Sequence, residues 1–513
     1  MHAAPRLQAT AKGFTPLLQM LYDSAVHGAG HPAILCGART VCYGELVDEI
    51  ERFARGLGSL GVSAGDRVAI VQPNAPEFVT TFFAVTALGA VAVPLNPAFQ
   101  KEELASCFRD CRVRVIVTHT SHAALCANSV AGWEYDVPIV TTGGTHPEML
   151  SYAALVTAHP AGPLPAQARD VDAVYQYSSG STGRPKRVPR THSALVAEAT
   201  NVVATTELGP SDRIFCAIPL FHTHGQGNCM LAAIRSGASL VILEDPNPFL
   251  LQRLRALEVL SRERITVFPG VPFVFRLLAD VTDQADLSAL RLCYSAGTAL
   301  PAETQAAFQA RFGVAVRQLY GCTEAGAIAI NLDPNPASTL ASVGLPIQGV
   351  HVQIVNEARH PLPADAVGEI AIRTSAMTRG YHGMDDHNRE VFQDGFFYTG
   401  DLGRVDAAGR LWITGRKRLF IEVAGNKVDP VEVEDVLAGH PMVREAVVVG
   451  VPSGVAGEET IKAVVVSEGP VEPKELIRHC QGRLARYKVP LLVEFRDEIP
   501  KSPLGKVLRK YLV

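Results

Sequence analysis

Residues 173–186 read AVYQYSSGSTGRPK, an apolar segment of strand length followed at once by a turn rich in serine, threonine and glycine. Two glycines in this turn, Gly180 and Gly183, allow the backbone to adopt positive φ angles and to approach an anion closely. The hydroxyls and consecutive backbone N–H groups can surround phosphate oxygens, and Arg184 and Lys186 supply positive charge. The stretch therefore predicts a phosphate-binding loop. From these residues alone, a Ser/Gly-rich surface loop remains the alternative.

On both sides of the turn, apolar runs of strand length alternate with helix-like patterns. This alternation predicts parallel or mixed sheets with helices on both faces. From about residue 341 to 400, short strands separated by Pro, Gly and Asp predict a small β-barrel or antiparallel sheet. The strand runs outside that region are 67–71, 113–118, 213–218 and 239–243.

The last hundred residues have the pattern of a separate small α+β domain. Asp429-Pro430-Val431-Glu432 is typical of a helix start, with Asp as N-cap and Pro in the first turn, and Gly439 is a plausible stop. A strand at 443–451 and a helix at 473–484 follow. We therefore predict an α/β protein with a large N-terminal domain over 1–417, which includes the β-rich subdomain, and a C-terminal domain over 418–513.

Composition excludes several classes of protein. The 513 residues are 47% hydrophobic and 19% charged with a net charge of −4, which indicates a globular chain without a basic nucleic-acid-binding face. Ten cysteines without a C-x-x-C pair predict neither a disulfide scaffold nor a zinc ribbon, and Cys107 and Cys111 are expected as buried thiols on one helix. The turn at 177–186 lacks the Walker A spacing, which excludes a P-loop phosphotransferase.

One stretch, 78–95, carries no charge and is long enough to span a membrane. Pro76 is typical of a helix start, Gly89 of a helix end, and a short apolar strand follows, so we expect a buried helix and strand instead. The N-terminus lacks the apolar core of a signal peptide. The expected location is the cytoplasm.

The phosphate turn and further segments, taken in chain order, resemble the signature motifs of the adenylate-forming superfamily, in its acyl-CoA synthetase branch. The resemblance implies a small C-terminal domain that is mobile, and an enzyme that uses ATP and Mg²⁺ to convert a carboxylic acid to acyl-AMP. Transfer to the thiol of CoA, or to the phosphopantetheine of a carrier protein, would follow. The segments are 177–186, PLFH at 219–222, SAGTAL at 295–300, YGCTE at 320–324, YTGD at 398–401, GR at 415–416, Gly425 with VDPVEVE at 428–434, and PLGK at 503–506.

The resemblance assigns catalytic roles to four residues. Lys506 would contact the carboxylate and the α-phosphate, Thr323 the α-phosphate, and Glu324 the Mg²⁺ ion, while His222 would gate the acyl pocket. Cations suit this reaction because the two reacting groups are anions that repel each other.

Nucleotide and CoA contacts are assigned in the same way. Tyr320 would stack on adenine, Asp401 would accept the ribose hydroxyls, and Arg416 would contact the ribose or phosphate. The full set is Ser178, Ser179, Gly180, Ser181, Thr182, Gly183 and Lys186 in the phosphate turn, Gly297, Thr298, Ala299, Tyr320, Gly321 and Cys322 in the adenine segments, Asp401, Arg416, and Gly425 beside the pantetheine arm.

The sequence departs from the family pattern at two places near the hinge. Leu419 stands where an acid is common, and Glu422 where many CoA ligases have Lys. Glu422 is either a surface change or a sign of altered handling of the thiol donor, so this departure concerns the transfer to the thiol more than the adenylation. From the residues alone, Asp401 could be a turn residue and Lys506 one of several solvated charges in a basic tail.

The segment 219–225 carries no Asp to pair with an ammonium group, which favours an acid without an α-amine. Fatty and aryl acids are expected, and short dicarboxylic acids stay open. His222 and His224 are too few to predict a metal hydrolase. Two alternatives remain: a ligase that loads a separate acyl carrier protein, and a non-catalytic nucleotide-binding protein on the same fold. The presence of Lys186, Glu324, Asp401 and Lys506 together favours an enzyme.

Overall fold

A computed structural model of the chain divides into two compact units. The first comprises Met1–Val352 and Ile372–Phe397, and the second Gln353–Ala371 and Tyr398–Val513. The structure describes residues 14–99, 101–164, 170–178, 186–243, 249–334, 339–416, 421–423, 426–428, 430–453, 459–484, 486–502 and 506–513.

The first unit contains a long sheet whose middle strands are all parallel, from Pro32–Cys36 at one side to Val316–Cys322 at the other. Most of these strands are short apolar runs buried along their whole length, as expected when helices cover both faces. From edge to edge the order is Leu345–Pro346, Gly326–Ile330, Val316–Cys322, Leu292–Ser295, Val267–Gly270, Arg213–Cys216, Ser239–Ile242, Pro32–Cys36 and Arg39–Cys42.

A second sheet of this unit ends in the hairpin that carries the phosphate turn. The hairpin strands are Asp172–Ser178 and Lys186–Thr191, and Ser178 lies directly opposite Lys186. Residues 179–185, which connect them, lie outside the described residues. The sheet order is Leu150–Ser151, Ile139–Thr142, Val115–His119, Arg67–Val71, Val91–Pro94, Asp172–Ser178 and Lys186–Thr191.

Helices flank both sheets. The helix Tyr43–Ser59 shows why: its apolar residues recur at helical spacing and form one buried face. The helices of this unit are Pro16–Gly28, Tyr43–Ser59, Pro76–Ala87, Lys101–Cys111, Ala123–Val130, Tyr152–Ala158, His192–Thr206, Thr223–Gly225, Ala232–Ser236, Phe249–Arg262, Pro272–Ala279, Ala302–Phe312 and Asp385–Val391, with a π-helical turn at Gln226–Leu231.

The uncharged stretch 78–95 forms a helix and a strand. The helix Pro76–Ala87 is buried on all sides, and Val91–Pro94 is an interior strand of the second sheet. Of the helices that the structure describes, none is long and apolar enough to cross a membrane. Cys107 and Cys111 lie buried on one helix, where burial raises the pKa of each thiol to about 12.

A third sheet contains Val350–Val355, Gly368–Thr374, Phe392–Gln393, Phe396–Val405 and Leu411–Arg416. It begins close to where the sequence pattern changes. The predicted domain boundary at 417–418 lies outside the described residues, so the domain limits stay predictions.

The C-terminal part of the second unit is the expected α+β structure. Val448, Ile461, Val465, Leu476 and Cys480 form the centre of its core. The helix that begins at Pro473 ends at Gln481 instead of 484, because Gly482 follows and glycine weakens a helix. Other expected bounds also differ by one or two residues: the strands expected at 443–451, 113–118, 213–218 and 239–243 are Val443–Pro452, Val115–His119, Arg213–Cys216 and Ser239–Ile242. The elements are the strand pair Ile421–Val423 and Asn426–Val428, the helices Pro430–Ala438 and Pro473–Gln481, and the strands Val443–Pro452, Glu459–Ser467 and Leu492–Phe495. The predicted N-cap Asp429 lies outside the described residues.

An ion pair is buried beside the phosphate-turn hairpin. Arg190 and Glu198 are 0% and 1% exposed, and the Arg190 Nη1 and Glu198 Oε2 atoms lie 2.7 Å apart. Arg190 also donates from Nη2 to the Ala376 carbonyl at 2.6 Å. A side chain at Gly227 or Gly326 would overlap the Glu198 carboxylate, so both positions require glycine. The pair thus joins the hairpin strand, the following helix and the segment after 375.

We expect Glu198→Ala to destabilise the first unit by about 3–5 kcal/mol, because it leaves the Arg190 charge buried without its partner. Urea unfolding of the full chain measures the loss. The matched control is Glu258→Gln, which removes an exposed carboxylate 3.0 Å from Arg262 and should cost at most about 1 kcal/mol. Equal losses in the two variants would contradict a stabilising role for the buried pair.

Candidate functional site

Several predicted site residues follow parallel strands of the long sheet. His222 comes after Arg213–Cys216, Gly297 after Leu292–Ser295, and Thr323 and Glu324 after Val316–Cys322. Because the strands are parallel, their carboxyl ends lie at one edge of the sheet, which is where open α/β sheets bind ligands.

The adenine segments are placed along that edge. Gly297 adopts a φ of 90°, a conformation that favours glycine, and Gly297, Thr298 and Ala299 are exposed. Tyr320 is half-buried at the end of the adjacent strand. The predicted adenine-binding residues are therefore accessible and lie on neighbouring strand ends.

The two histidines of the predicted acyl-pocket segment differ in their surroundings. Half-buried His222 accepts a hydrogen bond at Nδ1 from the His224 backbone at 3.2 Å. His224 is buried; its Nε2 donates to the Gly270 carbonyl at 3.0 Å, and its Nδ1 accepts from Asn228 at 3.0 Å. Burial lowers the His224 pKa to about 4, so the ring is neutral and both its nitrogens are engaged. This arrangement does not suit a metal ligand.

The structure joins Lys186 and Glu324 through one side chain, Tyr381. Its hydroxyl donates to Glu324 Oε1 at 2.7 Å, and the Lys186 ammonium lies 4.8 Å from the centre of its ring. His387 stacks on the same ring with centroids 5.4 Å apart, and its Nε2 lies 2.8 Å from Lys186 Nζ. The predicted polyphosphate cation and the predicted metal carboxylate thus belong to one contiguous cluster.

Backbone hydrogen bonds place Tyr381 there. Thr378 donates from its backbone to the Glu324 carbonyl at 2.7 Å, and from its hydroxyl to the Pro189 carbonyl at 2.5 Å. The His382 N–H donates to the Arg187 carbonyl at 3.1 Å. The segment 376–382 is therefore hydrogen-bonded both to the hairpin strand and to the backbone of Glu324.

Sequence reasoning missed Tyr381 and His387. They lie between the predicted motifs at 320–324 and 398–401 and belong to no motif that the sequence predicted. His387 is on the short helix Asp385–Val391, whose position beside the hairpin only the tertiary structure shows.

In the second unit, Asp401 and Arg416 face each other on paired strands. Arg416 Nε donates to Asp401 Oδ1 at 2.5 Å, and the Asp401 side chain is 5% exposed. Asp401 lies within the strand Phe396–Val405 and not in a turn. The two predicted ribose contacts are neighbours.

Lys506 is exposed near the C-terminus of the same unit. Its backbone closes a turn with Ser502, with the Ser502 N–H donating to the Lys506 carbonyl at 2.7 Å. Residues 503–505, which precede it in the predicted motif, lie outside the described residues.

Other predicted positions also lie outside the described residues. They are Ser179, Gly180, Ser181, Thr182, Gly183, Leu419, Gly425 and the side chain of Glu422.

Within the described ranges, no group of three His, Cys, Asp or Glu side chains could hold a metal ion. Mg²⁺ commonly binds through one or two carboxylates together with substrate phosphates, and the single carboxylate of Glu324 fits that mode.

Comparison with known proteins identifies the family. Residues 21–382 match the model of AMP-binding enzymes, and residues 432–506 match that of the AMP-binding enzyme C-terminal domain. The chain therefore belongs to the AMP-binding enzyme family, the adenylate-forming superfamily. Within it, the chain is an acid–thiol ligase of the acyl-CoA synthetase type, as the expected resemblance implied.

Individual relatives support this placement. The chain is 33% identical to a feruloyl-CoA synthase of Amycolatopsis sp (93% of this chain, 94% of the relative) and 33% identical to a sulfoacetate–CoA ligase of Cupriavidus necator (98% of each). Among solved structures, the anthranilate CoA ligase AuaEII in complex with anthranoyl-AMP has a TM-score of 0.84 at 30% identity, covering 98% of this chain and 97% of that one. ATP-bound MatB from Rhodopseudomonas palustris has a TM-score of 0.86 at 28% identity, covering 97% and 98%.

Two buried histidines should make stability depend on pH. Burial lowers the pKa of His192 and of His224 from 6.5 to about 4. Below pH 6.5 the unfolded chain therefore binds protons that the folded chain excludes, so stability is lost as the pH falls towards 4. Between pH 7 and pH 5 each histidine should cost about 2 kcal/mol.

The free energy of unfolding of the parent chain should fall between pH 7 and pH 5. In His192→Gln we expect this fall to be smaller by about 2 kcal/mol, because the titrating ring is gone. Urea unfolding at both pH values measures the change. Each variant is compared with itself, so destabilisation that does not depend on pH cancels. An unchanged pH dependence would show that His192 is protonated in the folded state as readily as in the unfolded state.

Proposed function

We propose that this enzyme uses MgATP to convert an aryl or fatty carboxylic acid to acyl-AMP and then transfers the acyl group to the thiol of CoA. The observation that carries the proposal is the cluster in which Tyr381 joins Lys186 to Glu324. It brings a cation for phosphate oxygens and a carboxylate for a hard metal ion to the end of the phosphate-turn hairpin.

In the first step, a carboxylate oxygen of the acid attacks the α-phosphorus of ATP. The bond from that phosphorus to the bridging oxygen breaks, and pyrophosphate leaves. Both reactants are anions, so the chain must supply positive charge where they meet. Lys186 neutralises the polyphosphate, Thr323 contacts the α-phosphate, and Lys506 orients the attacking carboxylate. Glu324 would hold Mg²⁺, and the bound ion would supply further charge neutralisation on phosphate oxygens.

The proposed contacts to the nucleoside are stacking on the adenine ring and hydrogen bonds to the ribose. Tyr320 stacks on adenine beside Gly297, Thr298 and Ala299. Asp401 accepts the ribose hydroxyls, and Arg416, its ion-pair partner, orients that carboxylate.

In the second step, the CoA sulfur attacks the acyl carbonyl carbon. The bond from that carbon to the AMP oxygen breaks, AMP leaves, and the thiol gives up its proton. Gly425 lies beside the pantetheine arm in this proposal. Two of the relatives described above are named feruloyl-CoA synthase and sulfoacetate–CoA ligase, which favours CoA over a carrier protein.

The segment 219–225, proposed to line the acid pocket, contains no Asp, Glu, Lys or Arg. His224 is neutral, and His222 lies half-buried next to it in the segment where an ammonium-binding Asp is absent. This supports an acid whose far end is apolar or aromatic. Relatives named for ferulate, sulfoacetate and anthranilate show how widely the acid varies among similar proteins.

Carboxylate-dependent ATP–pyrophosphate exchange tests the first step. We expect Lys506→Ala to reduce the exchange rate by about 10²–10³-fold, because it removes a charge that acts at the transition state. Lys510→Ala, which changes a basic residue of the same tail, is the matched control and should retain exchange. Exchange that ignores added acids, or that is the same in Lys506→Ala, would refute the proposed adenylation.

A panel of acids identifies the substrate and the thiol. We expect aryl or fatty acids to give AMP with free CoA at a higher kcat/KM than short dicarboxylic acids or sulfoacetate. The same assay with a pantetheinylated carrier protein is the comparison. Faster transfer to the carrier protein would overturn CoA as the acceptor, and preference for a short polar acid would overturn the proposed substrate class.

A further inference from the structure

The Lys186 ammonium has a specific partner on a neighbouring helix. Its Nζ lies 2.8 Å from Nε2 of His387, whose side chain is 16% exposed. This contact links residues that are 201 positions apart in the chain. What it does for the enzyme rests on the proposed function, in which Lys186 binds the polyphosphate.

The chemistry of the contact fixes the state of the imidazole. A lysine ammonium has three donors and no acceptor, so His387 Nε2 must accept the hydrogen bond. The His387 ring is then neutral and carries its proton on Nδ1, which lies 3.4 Å from Glu390 Oε2. A protonated ring would place two cations within hydrogen-bond distance of each other.

The Tyr381 ring supports both partners. Lys186 lies over its face and His387 stacks on it at an interplanar angle of 17°, while its hydroxyl is bonded to Glu324. The ring therefore sets where His387 can lie, and His387 sets where the ammonium can lie.

We propose that His387 is a positioning residue that holds the Lys186 ammonium in place for the ATP polyphosphate. A lysine side chain has four flexible carbons, and ordering such a chain on binding costs up to about 2 kcal/mol. His387 and Tyr381 order it before the nucleotide arrives, so that the cost does not reduce ATP affinity. His387 accepts one of the three ammonium protons.

Two variants at position 387 and a control variant at position 386 test the assignment. His387→Leu removes the acceptor and should weaken MgATP binding about ten-fold, measured by calorimetry without any acid present. His387→Gln offers an amide oxygen near the Nε2 position and should restore most of the affinity. Asp386→Asn is the matched control, because Asp386 is an exposed residue of the same helix whose partner is Arg389.

Kinetics distinguish a positioning role of His387 from a general loss of structure in the variant. In pyrophosphate exchange, His387→Leu should raise the KM for ATP about ten-fold and change kcat less than about two-fold, since the contact exists before ATP binds. In a Lys186→Ala background the same change should have no further effect on ATP affinity, because the partner is gone. Unfolding temperatures of all variants report on folding.

The outcomes distinguish the two proposals. ATP binding that is the same in His387→Leu and in the parent chain overturns the positioning role, whatever the enzyme does with acids. Equal weakening in the Lys186→Ala background also overturns it, because the effect would not pass through Lys186. A third outcome is that the parent chain shows no carboxylate-dependent exchange while its ATP binding still depends on His387. That outcome would refute adenylation and support the positioning role.

Discussion

The contact between Arg190 and Glu198 is the interaction on which the organisation of the site depends. Charges removed from water are costly unless they are paired and hydrogen-bonded, so the chain around this pair must supply both. Arg190 does this with Glu198 on the next helix and with the Ala376 carbonyl. The strand that carries Lys186 is thereby tied to the segment that leads to Tyr381.

The same pair restricts the sequence around it. The Glu198 carboxylate fills space that a side chain at Gly227 or Gly326 would need. Gly227 lies in the π-helical turn after the predicted acyl-pocket segment, and Gly326 begins the strand that follows Glu324. One buried carboxylate is thus packed against both the acid-binding side and the metal-binding side of the proposed site.

The proposed reaction between two anions explains why the cluster consists of an ammonium, a phenol and a neutral imidazole. The proposed reaction brings a carboxylate towards a polyphosphate, and the mobile side chains that neutralise them must be held without losing their charge. Tyr381 and His387 do so with a ring face and a lone pair, and neither adds a competing positive charge. The proposed ribose carboxylate, Asp401, is instead held by an ion pair with Arg416.

The sequence by itself determined the fold class, the family and most elements, because buried strands, capped helices and phosphate turns leave local patterns at short range. Arg67–Val71 lies where the pattern predicted a strand, and the uncharged stretch 78–95 forms a buried helix and strand, as Pro76 and Gly89 indicated. Only the tertiary structure decided that Lys186, Glu324, Tyr381 and His387 share one cluster. Their spacing along the chain follows no period, since the contact depends on how sheets and loops pack and not on any local repeat.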